Sequence, residues 1–115
     1  MARTFGAALL ERRRAAGLSQ RQLAGRAGLD FSYISKVEND RLPPPAADTV
    51  VKLCRILDTP PEEMLALTGK IPSQVQETVS TSTAGQEFLQ EARRLKLSEA
   101  EWRKMATALR RLRER

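Results

Sequence analysis

Gly28 separates two short amphipathic stretches, each opened by a residue suited to capping a helix, and no other feature constrains the fold as strongly. Ser19 caps the first stretch, whose apolar positions are Leu23 and Ala27. Gly28 then offers the left-handed backbone that closes a helix. Asp30 caps the second stretch by accepting backbone N–H groups that lack intrahelical partners. Ile34 and Val37 point inward from that second helix, and Leu29 fills the corner between the two. Phe31, Ser32, Ser35 and Lys36 are left facing outward. A helix with small polar, cationic and single aromatic residues on its open face has the shape and chemistry of a major-groove reader.

The 115 residues fit one compact domain with length left over for an appendage. A net charge of +6 favours a polyanionic partner, although a generally basic soluble protein carries the same charge. Only 4% of the residues are aromatic, so the core must be built from Leu, Ala, Val and Ile. Histidine is absent, which removes His-based triads, His metal sites and the usual general base. The single cysteine, Cys54, lies in the apolar run from Val50 and reads as a small core residue in a reducing compartment. Glu62 and Glu63 sit in the first turn of a helix, where the macrodipole favours them without any catalysis. These features argue against an enzyme, a cofactor or a metal. No apolar run approaches a membrane span, and the patch between Arg3 and Glu11 is too short for a signal peptide, so the expected location is cytoplasmic.

The periodicity predicts an all-α chain: a five-helix domain followed by a C-terminal extension of two or three helices. Helix 1 is expected from Thr4, its cap, to Ala16, with Phe5, Ala8, Leu9 and Ala16 as its apolar stripe and Gly17 as its stop. Arg12 falls on that stripe, where its stem covers the core edge while its charge reaches solvent. Arg12, Arg13 and Arg14 point in three directions and so do not form one phosphate-binding patch. The proline-rich loop 40–47 precedes a fourth helix with Asp48 as cap. A fifth follows Thr59 as cap, with Pro60 at the first helical position and Glu62 completing a capping box.

Residues 1–70 are thus expected to form the helix-turn-helix domain, 71–86 a connector or short helix, and 87–115 a helical hairpin. Ser98 to Glu101 is a capping box that opens the last helix. Phe88 and Leu95 line one hairpin helix; Trp102, Met105, Leu109 and Leu112 line the other at the spacings of a helix-packing seam. These stripes must be buried against the first domain or against a second copy, and dimerisation is the sharper expectation, since one helix-turn-helix reads few base pairs alone.

Leu18-Ser19-Gln20, Leu23-Ala24, Ala27-Gly28-Leu29 and the run Tyr33 to Asn39 resemble the xenobiotic-response-element family. These are the bacterial and phage helix-turn-helix regulators typified by Cro and the phage repressors. The similarity covers about residues 5–69 and stops before the tail. It implies that Gln20 contacts a phosphate and braces a base reader, with Arg21 also on the DNA face. It implies that Phe31, Ser32, Ser35 and Lys36 face base edges or the adjacent backbone, and that Tyr33, Asn39 and Arg41 contact phosphates. Arg13 and Glu38 would form an internal ion pair. Two positions depart from the pattern. Gly25 lies inside a helix, where it costs about 1 kcal/mol against alanine. Phe31 stands where a polar reader is common; it either touches a thymine methyl or turns into the core.

The leading expectation is a sequence-specific regulator, a repressor, that binds double-stranded DNA as a homodimer on a palindromic operator. The competing one is an antitoxin or immunity-type regulator whose C-terminal tail binds a toxin or peptidase.

Overall fold

The computed structural model describes residues 3–114, so the outer ends of the expected spans, at 1 and 115, lie outside the described residues. Among the described residues there are eight helices: α1 (Phe5–Ala15), α2 (Gln20–Ala27), α3 (Phe31–Glu38), α4 (Ala47–Ile56), α5 (Glu62–Thr68), α6 (Ser73–Ser80), α7 (Thr83–Leu95) and α8 (Glu99–Arg111). They divide into two compact units, Met1–Gln76 and Glu77–Arg115.

In the first unit, local chemistry sets most helix ends. Thr4 accepts from the Ala7 N–H at 3.0 Å and opens α1. Ser19 and Gln22 form a reciprocal capping box at the start of α2. Gly28, at φ 68°, closes α2 in the left-handed region and turns the chain into α3. Asp30 accepts from the Ser32 N–H at 2.8 Å and caps α3. That bond, and a second from the Ser32 hydroxyl, hold the Asp30 carboxyl below its ordinary pKa.

The core lies where these helices meet. Leu9 of α1, Leu23 of α2, Ile34 and Val37 of α3, Val50, Leu53 and Cys54 of α4, and Met64 of α5 are all fully buried. Burial pushes the Cys54 thiol pKa up, which leaves it a protonated core group. Gly6 marks a crossing of α1 and α3 close enough that a Cβ there would collide with the backbone carbonyls of Val37 and Glu38.

Three details depart from the sequence expectation. Ala16 is exposed, because it is the C-cap residue of α1 and lies past the last buried turn. Asp48 does not cap α4: the helix starts two residues earlier, after Ala46, which offers no side-chain cap. The Asp48 carboxylate instead accepts the Ser73 hydroxyl at 2.7 Å and the Ser73 N–H at 3.0 Å, which holds its pKa below the usual carboxylate range. Thr59 does not cap α5, whose N-cap is Pro61; its hydroxyl accepts from Arg12 Nη1 at 2.5 Å. Arg12 therefore does not reach open solvent alone, since its Nη2 also pairs with Glu63 at 2.9 Å. In both cases a partner distant in sequence outcompetes the local cap.

In the second unit, Ser82 caps α7 by accepting from the Gly85 N–H at 2.9 Å. Ser98 and Glu101 form the capping box of α8, and the two hydrogen bonds hold the Glu101 carboxyl below its ordinary pKa. Between them Lys96 takes a left-handed conformation, φ 50°, and ends α7 after Leu95. Phe88, Leu95, Trp102, Met105, Leu109 and Leu112 all expose large apolar surface, 42% for Trp102 and 68% for Leu109.

Candidate nucleic-acid interface

The orientation of α3 is fixed from three sides. Its buried face packs on α1 and α2 through Ile34 and Val37. Gly28 and the Asp30 cap fix its start. At its far end Glu38 is buried and accepts from Arg13, Nε to Oε2 at 2.6 Å and Nη2 to Oε1 at 3.0 Å. The same guanidinium donates from Nη1 to the Leu18 carbonyl at 2.8 Å. A planar fork whose three bonds are all near ideal length is the geometry in which a buried ion pair offsets its desolvation.

Gln20 extends this network, donating from Nε2 to Glu38 Oε1 at 2.9 Å. Its side chain ties the first turn of α2 to the end of α3, so the residue it braces is Glu38 rather than an outward reader. Nothing in helical periodicity separates these choices, because the partner comes from a different helix.

The outward face of α3 carries Phe31, Ser32 and Lys36 as exposed residues and Ser35 as a half-buried one. The Ser32 hydroxyl donates to Asp30 Oδ1 at 2.8 Å, which leaves its oxygen lone pairs as acceptors. Tyr33 is half-buried and packs its ring against the core. Asn39 donates from Nδ2 to the Ser35 carbonyl at 2.8 Å and so covers the end of the helix. Arg41 is exposed in the loop beyond. Phe31 does not join the core: it is 38% exposed, and the Arg21 guanidinium carbon sits 4.4 Å from its ring centroid.

An open concavity of about 510 Å³ runs between the second half of α1, the start of α2 and both ends of α3. Arg14, Gln20, Arg21, Phe31 and Asn39 are among the residues that line it. Arg14 is a cation that sequence reasoning missed. The three consecutive arginines do point three ways: Arg12 to Glu63, Arg13 inward to Glu38, and Arg14 into this concavity. The signal was the inward pairing of Arg13, which rotates Arg14 toward α2. Cationic groups and the free N–H groups of the α2 N-terminus thus converge beside an outward polar helix, a surface suited to a phosphate backbone next to base edges.

Two short helices at a glycine turn, braced by three more, define a helix-turn-helix domain. The chain belongs to the helix-turn-helix domain family, whose sequence profile matches residues 4–67. Over 76 residues it is 38% identical to RghRB of Bacillus subtilis (strain 168), described as an uncharacterized HTH-type transcriptional regulator. That match covers 64% of this chain and 55% of RghRB, so the chain spans about half the length of this curated relative. Among solved structures, it is similar to the restriction-modification controller protein C.AhdI from Aeromonas hydrophila. There the identity is 42% over 52% of this chain and 89% of that one, with a TM-score of 0.48. A second similarity is to a SinR protein/SinI protein complex, at 20% identity and a TM-score of 0.52, covering 93% of this chain and 95% of that one. The second shows likeness of fold. Among the described residues no helix is long and apolar enough to cross a membrane, and no group of side chains is arranged to hold a metal ion.

Proposed function

We propose that the chain is a sequence-specific DNA-binding regulator of transcription, a cytoplasmic repressor with no catalytic activity, that docks α3 in the major groove. The observation that carries this reading is the outward face of α3, held by the Arg13–Glu38–Gln20 network and flanked by Arg14, Arg21 and Arg41. Ser32, Ser35 and Lys36 read base edges, while Gln20, Arg21, Tyr33, Asn39 and Arg41 lie toward phosphates. Acting as a homodimer, two copies would read half-sites about 34 Å apart on a palindromic operator, and occupancy would block polymerase. Competition binding on duplexes selected from a random pool tests this. The reading requires that the selected duplex displace the labelled one far better than random DNA at physiological salt; equal displacement contradicts it.

The dimer contact in this reading is the apolar stripe of the tail: Phe88, Leu95, Trp102, Met105, Leu109 and Leu112, all exposed in the single chain. A stripe this apolar needs a cover. Sedimentation of Leu109→Glu, alone and with Leu112→Glu, tests it, a monomer being the expected result and an unchanged mass the opposing one. The same exposed stripe favours a second reading, an antitoxin or immunity-type regulator whose tail binds a toxin or peptidase. A monomeric wild-type chain in solution would favour that second reading.

A further inference from the structure

Phe31 is the first residue of α3, immediately after its Asp30 cap, and its ring stays outside the core cluster. Arg21, on the first turn of α2, lies over the ring with its guanidinium carbon 4.4 Å from the centroid. This cation–π contact fixes a ring that would otherwise sample several rotamers. The guanidinium that stacks on the ring still projects its N–H groups in its own plane, where they can meet a phosphate. The ring itself offers no donor or acceptor. Placed over the hydrogen-bonding edge of a base, it would strip water from groups it cannot satisfy. The apolar feature of the major groove is the C5-methyl group of thymine. In helix-turn-helix docking the N-terminal residues of the second helix are the ones that reach base edges, and Phe31 is such a residue.

We propose that the Arg21–Phe31 stack is a reader of 5-methylpyrimidines, which selects thymine at one position of each half-site and accepts 5-methylcytosine there over cytosine. This rests on the DNA-binding reading above and adds a specificity determinant to it. Phe31 supplies the apolar contact. Arg21 is a positioning residue that orients the ring and anchors the backbone beside it.

The test uses the full chain and duplexes selected by it from a random pool. Each thymine of the selected site is replaced in turn by deoxyuridine, which removes the methyl and leaves base pairing intact. One thymine per half-site should weaken binding about four- to tenfold when its methyl is lost, the scale of one buried methyl with good packing. A 5-methylcytosine at that position should bind better than cytosine by a similar factor. In Phe31→Ala the thymine-to-uracil ratio should fall to about one with the salt slope unchanged. In Arg21→Ala the ratio should fall and the salt slope should also drop by about one. Selection of a sequence with no uracil-sensitive position, or Phe31→Ala keeping that sensitivity, would overturn the methyl reader alone. Failure of the wild-type chain to select any sequence would overturn the DNA-binding reading beneath it. The uracil scan is run on the wild-type chain, so it stands even if a variant misfolds.

Discussion

Replacing Glu38 by Gln, alone and together with changes at Arg13, probes the network that holds α3. The carboxylate is 2% exposed and the Arg13 side chain 9%, so solvent screens neither charge. Glu38 accepts two bonds from Arg13 and one from Gln20. Glu38→Gln keeps the shape but removes the charge and one acceptor oxygen, so the buried guanidinium keeps its bond to the Leu18 carbonyl and at most one side-chain acceptor. Breaking one side of a buried pair costs about 3–5 kcal/mol. Arg13→Met should cost a similar amount by stranding the carboxylate. The double variant Arg13→Met with Glu38→Gln removes both charges and leaves the Leu18 carbonyl and the introduced amide N–H groups short of partners. That should cost about 1–3 kcal/mol in total, well below the sum of the single changes. Urea unfolding followed by circular dichroism measures all four proteins. Single variants within about 1 kcal/mol of wild type, or strict additivity in the cycle, would refute the reasoning.

Three further outcomes follow from the same geometry. Gly6→Ala should destabilise by about 1–3 kcal/mol or more, because the new Cβ meets backbone carbonyls of α3 that cannot rotate away; a thermal melt unchanged from wild type would contradict the close crossing. Gly25→Ala should stabilise by about 0.5–1 kcal/mol, since a Cβ there meets nothing within 4 Å and the helix gains propensity; the melting midpoint reports it. Asp30, Asp48 and Glu101 have folded pKa values below their ordinary 3.8, 3.8 and 4.5, so their contributions are fully present above those values. They are lost as pH falls through the lowered ones, so stability should drop on acidification below about pH 4. Asp30→Asn, which still accepts a bond from the Ser32 N–H but does not titrate, should flatten part of that acid limb in urea unfolding.

The parts of the fold that were legible in the sequence are those decided within a few residues. Ser19, Asp30 and Ser98 cap the helices that their positions predict, and Gly28 takes the left-handed turn. The apolar stripe of α3 also follows from periodicity, because Ile34 and Val37 recur at helical spacing. Asp48 and Thr59 depart from their expected roles for the opposite reason: each has a plausible local role, but Ser73 and Arg12 offer stronger partners from afar. The close approach at Gly6, the bond from Gln20 to Glu38 and the stack of Arg21 on Phe31 all depend on how helices cross. Helical periodicity describes one helix at a time and carries no crossing angle. For Phe31 it allowed both the core and the open face, and the Arg21 contact decides for the open face.

The central claim is that the outward residues of α3 read sequence while the surrounding cations hold the backbone. Fluorescence anisotropy on a selected duplex and on random DNA, with the triple variant Ser32→Ala, Ser35→Ala, Lys36→Ala beside wild type, separates the two terms. Wild type should prefer the selected duplex by about a thousandfold or more at physiological salt. The triple variant should lose most of that preference while its affinity for random DNA falls only by the one cation removed. Retention of the full preference by the triple variant, or equal binding of both duplexes by wild type, would contradict the account.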